Sequence, residues 1–384
     1  MRFSRIFYSI LSLLIVTLPA FSAIPKTTQT PQYEQALPGY HYQFPRDHAA
    51  HPTYKTEWWY YTGHLKSDQG RTFGYELTFF RIGTGIAPIQ EKSLATKNTV
   101  KKSPWSMDEL YMAHFALTDD SGKEFFHTQT LNRSGLNTAK ADSTRYNVIN
   151  KGWRVHQTGP DTFELFARSG EQALQLNLKA QKPLVIHGKN GVSQKANCVG
   201  CASHYYSYTR LLSSGTLTWK GKQFPVQGHS WMDHEFGSNQ LTSQQVGWDW
   251  FSVQLDDNSE LMLYQLRQKN GGMDINSSGS WISADGKAAH LKLGEFQSKA
   301  LAYWKSPQTG GVYPSGWEVL VPNQGLSLHI TPTVRKQELT SPTPGGTSYW
   351  EGRCKVSGTH NGKAVNGEAY VELTGYSKAF KQRI

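Results

Sequence analysis

One rhythm runs through most of the chain and limits its fold more than any other feature. Short aromatic or β-branched runs alternate with Gly, Asn, Asp and Ser turns. Residues 57–65 read EWWYYTGHL, the turn SDQG follows at 67–70, and 73–81 read FGYELTFFR. The runs YMAHFALTD, EFFHTQTL, TFELFARS, ALQLNLKA and GTLTWKGKQFPV continue it. The second half repeats the manner with WDWFSVQL, ELMLYQLR, GSWISADGK, WEVLVP, LSLHITPTV and EAYVELTG. Such runs are strands, because β-branched and aromatic side chains fit a pleated surface. Asp285-Gly286 and Asn361-Gly362 are hairpin dipeptides of the kind that supplies positive φ. No long helical periodicity appears, so the pattern predicts antiparallel barrels or sandwiches, with enough strands in each half for one barrel. Residues 89–106 and 189–203 interrupt as polar insertions, of the sort that shapes binding mouths.

Composition narrows the class. Only 38% of the 384 residues are hydrophobic and mean hydropathy is −0.55, which argues against a polytopic membrane protein. Twelve Trp, 19 Tyr and 35 Gly argue against disorder or a coiled coil. The formal charge of +11 is scattered rather than blocked. It reads as a solvated surface suited to anionic membranes, with no nucleic-acid partner expected.

Residues 1–22 hold Arg2 and Arg5, then the apolar run IFYSILSLLIVTLPAFS, the layout of a secretory signal peptide. Ala20 and Ser22 fit the −3/−1 positions, and no Cys stands nearby for a lipoprotein anchor. An uncleaved N-terminal anchor is the alternative use of the same residues. Residues 23–45, rich in Pro, Thr and Gln, form an extended lead-in. The expected location is periplasmic or secreted.

That context permits disulfides. Cys198, Cys201 and Cys354 are the three cysteines, so at most one bridge forms within the chain. Cys198-Val-Gly-Cys201 has the spacing of a redox dithiol but no βαβ pattern around it. A zinc site adding His229 and His234 is a second reading. A loop bridge or free thiols is the reading adopted.

Three constellations carry ionisable groups. In Gly228-His229-Ser230-Trp231-Met232-Asp233-His234-Glu235-Phe236-Gly237-Ser238, a strand puts Asp233 and Glu235 on one face and His234 on the other. Either His234 or the two carboxylates then points inward. Histidine titrates near neutrality, and a desolvated carboxyl stays protonated as an acid. The other reading is a solvated turn or a hydrogen-bonded network that pins the strand. In Gly247-Trp248-Asp249-Trp250-Phe251, the two Trp share a face, as an aromatic wall or as ordinary core. Glu57-Trp58-Trp59-Tyr60, with His64 and Glu76, sets carboxylates in apolar stretches, which is costly unless they are paired. Arg81 and Arg210 are candidate partners. No G-x-S-x-G, H-E-x-x-H, Walker loop or G-x-G-x-x-G motif occurs, which disfavours the common serine hydrolases, zincins and nucleotide enzymes.

In order, EWWYYTGHL, FGYELTFFR, YMAHFALTD, ASHYYSYTRLLSSGTL, WMDHEFGS, GWDWFSVQLDDNSELMLYQLR, YPSGWEVLVP, SYWEGRCKVSG and YVELTGY resemble one family. It is the AttH-type, carotenoid 1,2-hydratase-like (hydroxyneurosporene synthase-like) family, often labelled predicted secreted hydrolase. The resemblance runs from about residue 45 to 376. It implies an all-β chain of two tandem lipocalin-like antiparallel β-barrel domains, 46–238 and 239–384. The family's hydratases add water across a terminal double bond of an isoprenoid without metal or organic cofactor. That chemistry needs a proton donor and aromatic faces to hold a carbocation. Their D-H-x-W-G-like stretch resembles Asp233-His234-Glu235-Phe236-Gly237, with Phe236 at the Trp position. Their Tyr-Asp pair aligns with Tyr264-Gln265, which leaves Asp233 or Asp249 to supply the proton. The AttH branch is associated with export or transport operons.

Two functions follow. First stands an exported lipocalin-like protein binding a hydrophobic ligand, lipid or isoprenoid, in its barrel. The alternative is a cofactor-independent hydratase or hydrolase. In it His234 is acid/base, Asp233 and Asp249 assist, and Trp231, Phe236, Trp248, Trp250 and Tyr264 line the cavity. No metal or cofactor is expected, and partners beyond the ligand are envelope or ABC-transport-associated proteins. N-terminal sequencing of the exported protein is expected to start at Ala23; a chain starting at Met1 in the membrane fraction identifies an anchor instead.

Overall fold

The aromatic and β-branched runs form strands, and GTLTWKGKQFPV forms the hairpin between two of them. The computed structural model describes residues 33–84, 108–135, 138–239, 241–341 and 346–379. The expected signal segment 1–22, the expected lead-in up to residue 32 and the insertion 89–106 lie outside the described residues. The first sheet takes β1 (Thr56–Ser67), β2 (Thr72–Gly83), β3 (Glu109–Asp119), β4 (Glu124–Arg133), β5 (Ala139–Ala141), β6 (Asn147–Asn150), β7 (Trp153–Gly159), β8 (Thr162–Ser169), β9 (Gln172–Ala180), β10 (Val185–Ile186), β11 (Ser193–Gln194), β12 (Ala202–Trp219) and β13 (Lys222–Asn239). The rest are β14 (Gln245–Leu255), β15 (Glu260–Gln268), β16 (Ser278–Ile282), β17 (Ala288–Lys292), β18 (Gln297–Ala300), β19 (Tyr303–Lys305), β20 (Val312–Pro314), β21 (Trp317–Val321), β22 (Leu326–Pro332), β23 (Glu338–Leu339), β24 (Tyr349–His360) and β25 (Lys363–Leu373). All but the β19–β20 ribbon belong to the second sheet.

Both sheets are antiparallel and curl into barrels. The first runs β4-β3-β2-β1-β13-β12-β9-β8-β7-β6-β5, with β10 and β11 beside β12. Asn132 on β4 donates to the Asn150 side-chain oxygen on β6 at 2.7 Å, and Asn150 donates to the Tyr111 carbonyl at 3.1 Å. These bonds draw the free edges together. The second runs β17-β16-β15-β14-β25-β24-β22-β21-β18, so its two end strands are consecutive in the chain. Asn361 and Gly362 both take positive φ, 51° and 75°, as a primed hairpin turn between β24 and β25 requires. Asp285-Gly286 also closes a hairpin, β16 to β17, with only Gly286 at positive φ, 86°.

The barrel interiors are filled. Trp59, Phe79, Phe115, Leu165 and Met232 belong to one contiguous cluster inside the first, and Phe251, Trp317, Leu328 and Trp350 to another inside the second. A third cluster, with Tyr60, Tyr205, Trp231, Trp250, Tyr264 and Tyr370, lies between the two sheets. It explains two kinds of strand sequence. β9, QALQLNLKA, alternates buried and wet positions because its outer face meets water. β1 is buried on both faces through Trp59–Leu65, and so reads as a near-continuous aromatic run.

Candidate functional site

The seam between the sheets is built by the pleat. On β13, Trp231, Asp233 and Glu235 face outward across the seam while Met232, His234 and Phe236 face into the first barrel. Register carries the same division into the neighbours. Tyr60 lies opposite Asp233 on β13 and Thr78 on β2, and Tyr205 opposite Glu235. From the second sheet, β14 brings Trp248 and Trp250, and β25 brings Tyr370 and Glu372.

Carboxyl groups gather there; Glu235 meets Lys195 at 2.9 Å, and four others lie without a cation among the described residues. Glu351 and Glu372 stand directly opposite each other on β24 and β25, a pairing that repels when both are ionised. Glu76 faces them from β2. Tyr60 donates to Glu351 at 2.5 Å, Trp248 to Glu372 at 2.9 Å, and Thr78 to Glu76 at 2.5 Å. The second oxygen of Glu76 is buried and has no partner among the described residues, as does Nε2 of His114. Burial pushes the Glu76 carboxyl up to about 8, with the charge of Glu372 adding to the rise. Burial likewise takes Glu372 up to about 7 and drives Glu351 well above the usual range, where Glu76 and Glu372 reinforce it. Asp233 is raised by burial to about 7, against hydrogen bonds from Ser207, Tyr205 and Trp231. Tyr205 reaches it at 2.8 Å and Trp231 at 2.6 Å. Among the described residues, no ion pair joins Glu76, Glu351, Glu372 or Asp233 to a Lys or Arg. Glu76 and Glu351 are carboxylic acids held neutral at pH 7 between aromatic rings, while Glu372 and Asp233 titrate at about 7.

The far face of the same strands holds a different network. Residues 46–54 fold over one end of the first barrel. His51 sends its backbone N–H to both oxygens of Glu57, at 3.1 and 2.9 Å, and its Nδ1 lies 2.7 Å from the carboxylate. Arg81 donates to Glu57 at 3.0 Å and to the carbonyls of His51 and Tyr54 at 2.8 and 2.7 Å. His234 completes the set, with Nε2 2.8 Å from Glu57 and Nδ1 2.9 Å from the Tyr206 hydroxyl. Burial alone raises a carboxyl, yet His51, His234 and Arg81 together hold Glu57 well below the usual range. Burial lowers His234, so its imidazole is neutral.

His51, Glu57 and His234 offer donor atoms within 4.8 Å of one another. Ligands around tetrahedral zinc, at about 2.0–2.1 Å from the metal, stand roughly 3.3 Å apart. The contacts of 2.7 and 2.8 Å are shorter, and Arg81 already neutralises the carboxylate. The cluster is a hydrogen-bonded plug.

The family follows from comparison. Residues 35–376 match the AttH-like family model. The chain belongs to the AttH-like family. No curated protein matches it by sequence. A crystal structure of a putative AttH from Nitrosomonas europaea is 31% identical, covering 89% of this chain and 99% of that one, with a TM-score of 0.78. Kievitone hydratase from Nectria haematococca is 14% identical, covering 91% and 98%, with a TM-score of 0.66, a likeness of fold.

In this AttH-like chain the sequence-derived site residues are dispersed. Asp233, Trp231, Trp248, Trp250 and Tyr264 meet in the seam. His234 and Phe236 lie in the plug, where Phe236 stacks on His51 at 3.7 Å. Asp249 points into the second barrel, bound by Arg267 at 2.9 Å and by Tyr376 at 2.9 Å. His234, Asp233 and Asp249 therefore do not form one centre. The reason is parity: residues one apart on a strand face opposite ways. Cys198 and Cys201 form the loop bridge, and Cys354 is a buried free thiol. The bridge uses the thiolates a zinc site needs. Arg81 partners Glu57, while Arg210 partners Glu260 at 2.6 Å and neither reaches Glu76. Sequence reasoning passed over Glu351 and Glu372. Their signal was an acidic residue inside an apolar run, in YWEGRC and YVELTG.

Arg81→Met leaves Glu57 in the core without its guanidinium and is expected to cost about 3–5 kcal/mol in urea unfolding; a loss under about 1 kcal/mol contradicts the plug. Glu76 gives a pH signature. Its folded value near 8 exceeds the unfolded value near 4.5, so stability is full below about 4.5 and drains as pH rises through 8. The buried histidines with lowered values lose stability only below about 6.5. Unfolding free energy is therefore expected to fall from pH 6.5 to 8, and Glu76→Gln to flatten that fall; equal slopes refute a neutral Glu76.

Proposed function

We propose that the seam is a cofactor-independent acid site that adds water to an electron-rich carbon–carbon double bond of a hydrophobic ligand. The observation that carries this reading is the unpartnered oxygen of Glu76, a buried carboxyl raised to about 8 beside Glu351 and Glu372. A neutral acid with a free O–H is what protonation of an alkene needs. The ring faces of Tyr60, Trp231 and Trp250 stand nearby to stabilise the cation that forms. Water then attacks the cation and returns one proton to the carboxylate cluster, so the acid is regenerated and the sum is alkene plus water to alcohol.

A barrel-bound ligand is less well supported, because both barrel interiors are filled by side chains. Binding of a lipid or isoprenoid remains the first half of the reaction, moved from the barrel to the seam. His234 has no part in it, since it is locked to Glu57 and Tyr206 on the opposite face. The fold likeness to kievitone hydratase agrees with hydration, and action outside the cytoplasm agrees with the N-terminal signal segment.

One observation favours a second reading. His187 has Nδ1 2.9 Å from the Ser280 hydroxyl and Nε2 2.7 Å from Ser207, which in turn donates to Asp233. A hydrolase would use Ser280 as nucleophile and react with a fluorophosphonate probe at that residue.

The test is a panel of polyprenyl alkenes in water enriched in oxygen-18. Labelled alcohol is expected, with turnover falling as pH rises through about 8. Glu76→Gln is expected to lower turnover by about a hundredfold or more at unchanged folding, and folded His234→Gln to keep it. Activity that survives Glu76→Gln, or labelling of Ser280, overturns the acid-site reading.

A further inference from the structure

The polar insertion at 189–203 forms one wall of the seam. His187, just before it, bridges Ser280 and Ser207 across the two sheets. Ser193 lies 3.0 Å from the Tyr264 hydroxyl. Lys195 brings a cation. Its ammonium is 2.9 Å from Glu235 and 4.2 Å from the centre of the Tyr264 ring, and the residue is 7% exposed.

Lys195 is held from two sides: Gln245 on β14 donates to its carbonyl at 2.7 Å, and the turn after it takes its N–H. Its backbone N–H donates to the Cys201 carbonyl at 2.8 Å, and that of Ala196 to the same oxygen at 3.2 Å. Gln194 braces the turn through the carbonyls of Ala196 and Cys198, at 2.5 and 3.0 Å. Cys198 and Cys201 close it covalently. The inner side of this turn thus faces the seam, and its outer side faces water. Cys198 is exposed, and Val199, between the two cysteines, is 79% exposed. An accessible bridge is open to attack by an external thiolate.

We propose that Cys198–Cys201 is a reducible bridge, exchanged by a dithiol oxidoreductase, and that opening it withdraws Lys195 from Glu235. The partner's thiolate attacks the sulfur of Cys198 and forms a mixed disulfide, while Cys201 leaves as a thiolate. The partner's second thiolate then attacks its own bridged sulfur and releases Cys198. Two electrons pass to the chain, the partner ends as a disulfide, and the two new thiolates take up the protons the partner lost. With the bridge open, the turn that fixes Cys201 relaxes, and Lys195 loses the anchor on its N–H and is left hinged on the Gln245 contact at its carbonyl. Glu235 then stands beside Asp233 without its counter-charge. Reduction so switches the charge of the seam, whether that seam turns over a substrate or only binds one.

The test uses the full folded chain and two reagents. The protein is equilibrated with millimolar dithiothreitol, then alkylated, and in parallel exposed to an amine-reactive acylating reagent, with both products mapped by mass spectrometry. Cys198 and Cys201 are expected to be alkylated together, while buried Cys354 stays unmodified. Lys195 is expected to be protected in the oxidised chain and acylated about tenfold faster after reduction. Reoxidation is expected to restore protection. C198A/C201A is expected to show fast acylation of Lys195 with or without reductant; if that variant does not fold, the reversible wild-type response carries the test. A bridge that resists reduction in the folded chain, or Lys195 reactivity unchanged by reduction, overturns the proposal. Neither result bears on hydration, which is read separately through Glu76→Gln.

Discussion

Two sheets bury each other's outer faces, and acids sit in that contact. A buried carboxylate without a cation is among the costliest things a fold contains, and the group escapes that cost by keeping its proton. Glu76, Glu351, Glu372 and Asp233 all take this route. The remaining composition of the seam follows from it. Tyrosines and tryptophans supply O–H and N–H groups to the carboxyl oxygens, and their rings supply the apolar surface that holds the sheets together. Aliphatic residues would pack equally well and leave the acids unbonded.

The filled barrels give the seam its importance. Lipocalin-like barrels commonly keep a hollow for a ligand. Here Trp59, Phe115 and Met232 occupy the first interior, and Trp317 and Trp350 the second. Residues 46–54 add a polar plug at one end of the first barrel. Two carboxyl- and imidazole-borne atoms without partners, Oε2 of Glu76 and Nε2 of His114, lie where β2 and β3 meet the second sheet.

Strands and turns were legible in the sequence because their signals are local. Alternation, Asn-Gly and short polar breaks need only neighbouring residues, and the aromatic runs became the strands expected of them. The pleat was legible as well: Asp233 and Glu235 do part from His234. Which face met the barrel and which met a second sheet was not, since that depends on strands far away. β1 pairs with β13 between residues such as Thr56 and Gly237, far apart in the chain, and Glu351 meets Glu76 only after the second sheet docks. A run such as Trp58–Tyr61 looks the same whether its second face meets a barrel core or a neighbouring sheet. Its lack of alternation marks burial on both sides without naming what does the burying.

Glu57 and Glu76 make the last step. They lie on adjacent strands, both are buried to 1% exposure or less, and both are glutamates in aromatic surroundings. Their titration runs in opposite directions. Glu57 meets Arg81, His51 and His234 and stays ionised well below the usual range. Glu76 meets Thr78 and two other carboxyl groups and stays protonated to about 8. Burial is common to the pair, so it does not account for the difference; the cations do. A carboxylate saturated with donors has its charge spent on holding structure, and His234 beside it, lowered by burial, is neutral and locked in the same network. A neutral carboxyl with one oxygen unbonded retains a proton to give and a direction in which to give it. Within one sheet, the choice of partners on the two faces of β1 and β2 thus separates the group that fixes the fold from the group equipped to act on a ligand.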